Sequence, residues 1–223
     1  MPDPDGLAEA ALIRAWLRCA AASVHERRVW LTDLDAAIGD GDHGINLDRG
    51  FTAVLADLDG AGDRADPAAA VLTAAGRRLL GMVGGASGAL YGRGLMTAGR
   101  HVGERPEAGP SDPVRLASTI LGGAVEGITA LGHAAAGDKT MLDALLPALS
   151  VLRSAASDAD PASTLAAAAA AGEAGAAATV PLVARKGRAS YLGERSAGHL
   201  DPGAASAALL LRCLATTLAD TPA

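Results

Sequence analysis

The chain has 223 residues, half of them apolar, a formal net charge of −6 and almost no aromatic side chains. No basic stripe or Lys/Arg cluster is present, which argues against a nucleic-acid surface. No uninterrupted apolar run reaches the roughly 20 residues of a membrane span, so no membrane role is expected; the Ala-rich stretch Leu165–Ala178 is shorter and is interrupted by Glu173. The apolar mass is mostly Ala, Leu and Val, and Ala and Leu favour helices over strands. Met1 to Gly6 carries two Asp and no basic residue, unlike a secretory signal. Cys19 and Cys213 sit far apart in sequence among apolar helical residues and are expected to be reduced core thiols. The expected compartment is the cytoplasm.

In chain order, the periodicity predicts helices over 7–22, 24–38, 43–58, 67–82, 87–101, 112–133, 140–157, 161–180 and 203–219. The first two are read as one helix or two, which gives about eight in all. Four Asp-Pro pairs, at Asp66, Asp112, Asp160 and Asp201, mark helix starts. Asp accepts from free N–H groups at a cap, and Pro fits the first helical position because its missing N–H costs nothing there. Linkers near 59–66 and 103–111 are short and rich in Gly, Asp and Pro. No strand alternation appears. The expectation is a single domain over 1–223, all-α, as an antiparallel eight-helix bundle or barrel with its site at one end.

Four Gly-rich polar segments interrupt this pattern, each at a predicted helix end. In the first, Asp35, Asp40 and Asp42 place three carboxylates within eight residues. So crowded, they call for a cation, and hard oxygens suit Mg²⁺, which completes its shell with water and phosphate. The next helix starts at about His43, so its free N–H groups face the same spot, as a phosphate site requires. An Asp/Gly turn with a cap would account for Asp42 alone, but not for all three. The second segment, Gly84-Gly85-Ala86-Ser87-Gly88, lets backbone approach a ligand, although Gly-rich helix starts are common without one. The third, Gly137-Asp138-Lys139-Thr140-Met141, reads as a capped helix start with a lysine that faces phosphate or, more commonly, solvent. The fourth runs from Lys186 to Ala204, a polar stretch too long for an ordinary connection. Its Arg188 and Arg195 can neutralise phosphate charge.

Together these segments resemble the L subunit of dihydroxyacetone kinase. The matching motifs are Asp-x4-Asp-x-Asp-His-Gly, then Gly-Gly-Ala-Ser-Gly with Leu90-Tyr91-Gly92, then Gly-Asp-Lys-Thr-Met, then Gly-Arg-Ala-Ser-Tyr-Leu-Gly-Glu-Arg-Ser through Asp-Pro-Gly-Ala. The match extends from about Leu7 to Leu218. It implies an eight-helix antiparallel barrel in which Asp35, Asp40 and Asp42 hold two Mg²⁺ on the phosphates of ADP or ATP. It implies that His43, Gly44 and Asn46 lie along the phosphates and that Ala86 and Ser87 border the nucleotide. Gly132 and Met141 would line the adenine side, and Asp201, Pro202 and Gly203 would close over the nucleotide. Arg188 is the implied catalytic cation. The implied acceptor is dihydroxyacetone on a separate sugar-binding K subunit, with a phosphotransferase-system M subunit recharging bound ADP in one branch of the family. Ala89, Ala197 and Arg93 depart from the family pattern without touching the proposed ligands, so related keto-sugars such as erythrulose stay open.

Other readings are a fatty-acid-kinase nucleotide domain, which carries Thr at the position of His43, and an ADP-holding regulator without kinase activity. A homodimer also stays open, with no exposed apolar stripe to name its interface.

Overall fold

A computed structural model of the chain describes residues 4–62, 66–105 and 112–219. The linkers expected at 59–66 and 103–111 therefore lie partly outside the described residues. Among those residues there are nine α-helices, one 3-10 helix and no strand. The α-helices are α1 Pro4–Glu26, α2 Arg28–Ile38, α3 His43–Ala61, α4 Ala68–Met82, α5 Gly85–Gly103, α6 Pro113–Gly132, α7 Leu142–Ser154, α8 Pro161–Ala177 and α9 Pro202–Ala219. The 3-10 helix spans Arg188–Ser196.

Eight of the helices close a ring. Going round it, α1 packs on α3, α3 on α4, then α5, α6, α7, α8 and α9 follow in order, and α9 returns to α1. This is the predicted eight-helix barrel. The ninth, α2, is the ambiguous second helix of the sequence: it separates from α1 at Arg27 and packs on α3, α9 and the 3-10 helix. Leu17, Leu47, Phe51, Leu72, Leu116 and Leu142 are buried in the shared core. Small residues let the helices approach closely. A Cβ on Gly76 would meet the Gly92 carbonyl oxygen at 2.6 Å, and one on Gly92 would meet that of Gly76 at 2.8 Å. The α4–α5 seam thus depends on missing side chains. Trp16 Nε1 donates to the Leu210 carbonyl at 3.0 Å and pins α1 to α9.

Three of the four Asp-Pro pairs start helices as predicted. Asp112 accepts from Val114 N and Arg115 N, Asp160 from Ser163 N, and Asp201 from Ala204 N. The fourth is displaced: Pro67 takes the cap position in extended conformation and α4 begins at Ala68. One further expectation changes, and that of two reduced thiols holds. Helices α6 and α9 do have the length and mean hydropathy of membrane spans. Ala, Leu, Ile and Val raise that average, although charged and polar residues interrupt the run. In the fold, 61 % of the apolar window of α9 and 39 % of that of α6 are buried, and Glu126 on α6 pairs with Arg100. Cys19 and Cys213, far apart in sequence, are neighbours: Cys213 contacts Cys19 and lies 3.1 Å from Ser23 Oγ. Both are free thiols, and burial pushes that of Cys213 up to about 12.

Candidate functional site

At one end of the barrel, the turn from α2 to α3 gathers the three predicted carboxylates. Asp35 lies on the last turn of α2, and Gly39 and Gly41 bend the chain back over it. A Cβ on Gly39 would meet Asp35 Oδ1 at 2.1 Å, so a larger residue there would displace the Asp35 carboxylate. The reversal brings ligand oxygens of Asp35, Asp40 and Asp42 within 4.8 Å of one another. One role differs from the expected one. Asp42 occupies the cap position of α3 without using its side chain. The cap is supplied by Asp35, whose Oδ2 accepts from Asp42 N at 2.9 Å and His43 N at 3.2 Å. The Asp42 carboxylate is therefore not spent on the cap, and Asp35 keeps Oδ1. This donor set of close, hard oxygens fits a small divalent cation. Arg188 reaches in from the 3-10 helix, its guanidinium 3.1 Å from Asp40 Oδ2.

Beside the carboxylates opens a cleft of about 360 Å³, within the range of small-molecule sites. Three helices begin on its wall: α3 at His43, α5 at Gly85–Ser87 and α9 at Pro202–Gly203. At α3 and α9 the first N–H groups already donate to the Asp35 and Asp201 carboxylates, whereas α5 has no side-chain cap; its first N–H groups and its positive dipole end favour an anion there. The lining also carries apolar side chains, Ile38, Leu90, Ile128, Leu131 and Met141, beside Gly132. A cleft lined by both charged and apolar groups suits a ligand that joins phosphate to a flat base.

Most predicted site residues line this cleft: Asp35, Asp40, Asp42 and His43 from the first segment, Ala86 and Ser87 from the second, then Gly132, Met141, Arg188, and Asp201 to Gly203. Gly44 and Asn46 do not. Gly44 is packed against α2, where a Cβ would meet the Arg28 carbonyl oxygen at 2.1 Å. Asn46 is buried beneath Gly84 and accepts from Arg49. Both support the wall from behind.

Two participants were not singled out in the sequence. His43 Nε2 lies 2.8 Å from Ser206 Oγ, which lies 2.7 Å from the Tyr91 hydroxyl. All three are buried. Burial holds the His43 imidazole below its usual range, although Asp35 and Asp42 pull it up. Burial likewise raises the Tyr91 phenol. Tyr91 belongs to the quoted Leu-Tyr-Gly motif, but Ser206 reads only as a small residue inside a helix.

Lys139 is neither phosphate-facing nor solvated. It is 1 % exposed, and its Nζ donates to the carbonyls of Thr179 and His199. Asp201, besides capping α9, is 7 % exposed, and burial pushes its carboxyl up to about 7 against the Ala204 hydrogen bond and the Lys139 charge.

Comparison with known proteins agrees with this geometry. The DAK2 domain matches residues 37–216. The chain belongs to the DAK2 domain family. The matched region begins two residues after Asp35, so one of the three carboxylates lies just outside it. A Listeria innocua protein described as the ADP-binding subunit of a PEP-dependent dihydroxyacetone kinase is 44 % identical over 202 residues, covering 91 % of this chain and 92 % of that one. A D-erythrulose kinase of Mycolicibacterium smegmatis is 37 % identical over 96 % of this chain, which spans 37 % of that larger protein. Among solved structures, the dihydroxyacetone kinase of C. freundii in complex with AMP-PNP and Mg²⁺ superposes with a TM-score of 0.70 at 27 % identity, covering 97 % of this chain and 34 % of that one. This chain thus spans nearly the whole of the Listeria innocua relative and about a third of the two longer ones.

Proposed function

We propose that this chain is the nucleotide-binding subunit of a dihydroxyacetone kinase, a single domain working in the cytoplasm with a sugar-binding K subunit. The observation that carries the reading is the convergence of three carboxylates and three helix N-termini on one cleft that also has apolar lining. Family membership supports it. The relative bound to AMP-PNP and Mg²⁺ supports a nucleotide with magnesium as the ligand.

Asp35, Asp40 and Asp42 would hold magnesium, two ions by the family resemblance. Bound there, magnesium supplies charge neutralisation at the phosphate oxygens of ATP or ADP. The remaining work falls to the chain. Phosphoryl transfer needs little covalent chemistry from a protein and depends on positioning and charge. The free N–H groups at Ala86 and Ser87 orient phosphate oxygens. Gly132 and Met141 border the base, and Asp201 to Gly203 form the closing wall. Arg188 is the mobile cation: its guanidinium leaves Asp40 when phosphate enters and then stabilises charge on the transferred group. His43 stays neutral and is held by Ser206. By the family resemblance, the acceptor comes on the K subunit, docked over the phosphate end. The donor is free ATP or an ADP coenzyme recharged by a phosphotransferase M subunit.

The test begins with protein purified without added nucleotide. Mass spectrometry and ultraviolet absorbance that reveal stoichiometric ADP would favour the coenzyme form. An empty protein that binds ATP only with Mg²⁺ would favour the ATP-consuming form. Absence of Mg²⁺-dependent binding of either nucleotide would refute the proposal. Similarity to a D-erythrulose kinase supports a second acceptor, and the same assay with dihydroxyacetone and erythrulose side by side distinguishes them.

A further inference from the structure

Lys139 combines two costly features. Its ammonium is buried, and its backbone is left-handed at φ 62°, a region few side-chain-bearing residues adopt. A buried charge and a strained backbone persist only where the surroundings compensate them. Lys139 borders the cleft, but its ammonium is spent elsewhere, on the carbonyls of Thr179 and His199; burial pulls its pKa down, while Asp201 and Asp143 nearby favour the charged form.

Those two carbonyls belong to the two ends of the segment that carries Arg188. The same neck is closed by Gly198 N donating to the Val180 carbonyl at 2.7 Å and by Asp201 N donating to Thr179 Oγ1 at 3.0 Å. Arg185 N donates to the carbonyl of Asp138, the residue before Lys139, at 3.1 Å. A surface segment whose ends meet in this way is closed like an Ω-loop, though it is longer than one. Inside it, the buried Ser196 hydroxyl accepts from Ala184 N at 2.9 Å and donates to the Gly193 carbonyl at 2.6 Å. Beyond the neck, Arg188 extends to Asp40.

We propose that Lys139 is a positioning residue that clamps the neck of the 180–199 loop and thereby fixes Arg188 over the carboxylate cluster. It acts through the loop and makes no contact with phosphate. A lysine suits this task because one ammonium offers three donors to carbonyls from different segments. The part of this inference that concerns turnover rests on the role of Arg188 proposed above; the clamp itself does not.

The experiment uses the full chain with its sugar-binding partner subunit and two variants, Lys139→Met and Lys139→Arg. Both are expected to melt cooperatively as helical proteins and to bind Mg-ADP within a few-fold of the parent. Lys139→Met is expected to slow phosphoryl transfer by about tenfold to a hundredfold, the scale of an ångström-sized misplacement, and Lys139→Arg to restore part of the rate. The decisive readout is coupling: Arg188→Ala should cost far less in Lys139→Met than in the parent. In the isolated chain, amides of residues 186–199 should lose hydrogen-exchange protection in Lys139→Met. Additive effects of the two substitutions, unchanged loop protection, or unfolding of both variants would each overturn the proposal; the last would mean that the lysine serves the fold at large. If the parent transfers no phosphoryl group with any partner, the kinase reading fails, and loop protection alone decides the clamp.

Discussion

Two turns of this molecule have nearly the same composition and opposite uses. The α2–α3 turn and the turn before α7 both combine Gly with closely spaced Asp at a helix start. In the second, every charge is consumed by the chain. Asp138 accepts from Ala135 N, Asp143 accepts from Gly137 N and Thr140 N, and Lys139 donates to two carbonyls. In the first, only one oxygen of Asp35 is consumed by backbone, and Arg188 is the cation set against Asp40. The difference lies in hydrogen-bond satisfaction rather than in residue type. A polar turn that satisfies itself is architecture, and one left with surplus charge of one sign is a binding site.

The strongest way to break this contrast is Asp35→Ala. We expect Mg²⁺-dependent nucleotide affinity to fall about a thousandfold, in line with loss of a buried charged ligand, while circular dichroism still reports a helical protein. The lost cap on α3 should cost only about 1 kcal/mol. Unchanged affinity in excess Mg²⁺ would remove the metal assignment.

Next in size is the pH response of Asp201. Its folded pKa of about 7 lies above the ordinary 3.8, so the folded state holds a proton that the unfolded state has released. This group therefore favours folding most at pH 4 and below, and its contribution declines as pH rises towards 7. The full swing is at most about 4 kcal/mol. Asp201→Asn keeps an acceptor for Ala204 N and should flatten that slope in denaturant melts taken from pH 4 to 8. A slope identical to the parent would show that the carboxyl is ionised throughout.

Arg188→Ala should lower transfer by about a hundredfold, the scale of removing one electrostatic stabiliser, with little change in melting temperature because the side chain is exposed. The smallest expected effect is the mirror image of the first. Asp143→Ala leaves two backbone donors unpaired and should destabilise the chain by about 2 kcal/mol, as read by urea melts, with Mg-nucleotide affinity preserved. A loss of affinity exceeding the loss of stability would erase the distinction between the two turns.

Much of the barrel was legible because helix length, apolar period and Asp-Pro caps are local signals. Asp112, Asp160 and Asp201 act as caps where the sequence placed them, whereas Asp66 does not, since Pro67 in extended conformation takes the cap position. The 3-10 helix at Arg188–Ser196 escaped notice because a short i to i+3 run leaves no apolar period. The carboxylate cluster was legible because its members share one turn. Ser206, Tyr91 and Lys139 were not, because their partners lie 60 or more residues away or on the backbone, beyond the reach of any local pattern. The same holds for Cys19 and Cys213, whose contact exists only because the ring closes between α9 and α1.

The cap formed by Asp35 also bears on ion choice. With Oδ2 committed to Asp42 N and His43 N, this carboxylate can present one oxygen to a cation and not two. Calcium gains from bidentate carboxylates and high coordination numbers, whereas magnesium prefers single oxygens at octahedral vertices and retains water. With Asp35 as the proposed ligand, the start of α3 would discriminate by coordination geometry: it would withhold the second oxygen that the larger ion needs.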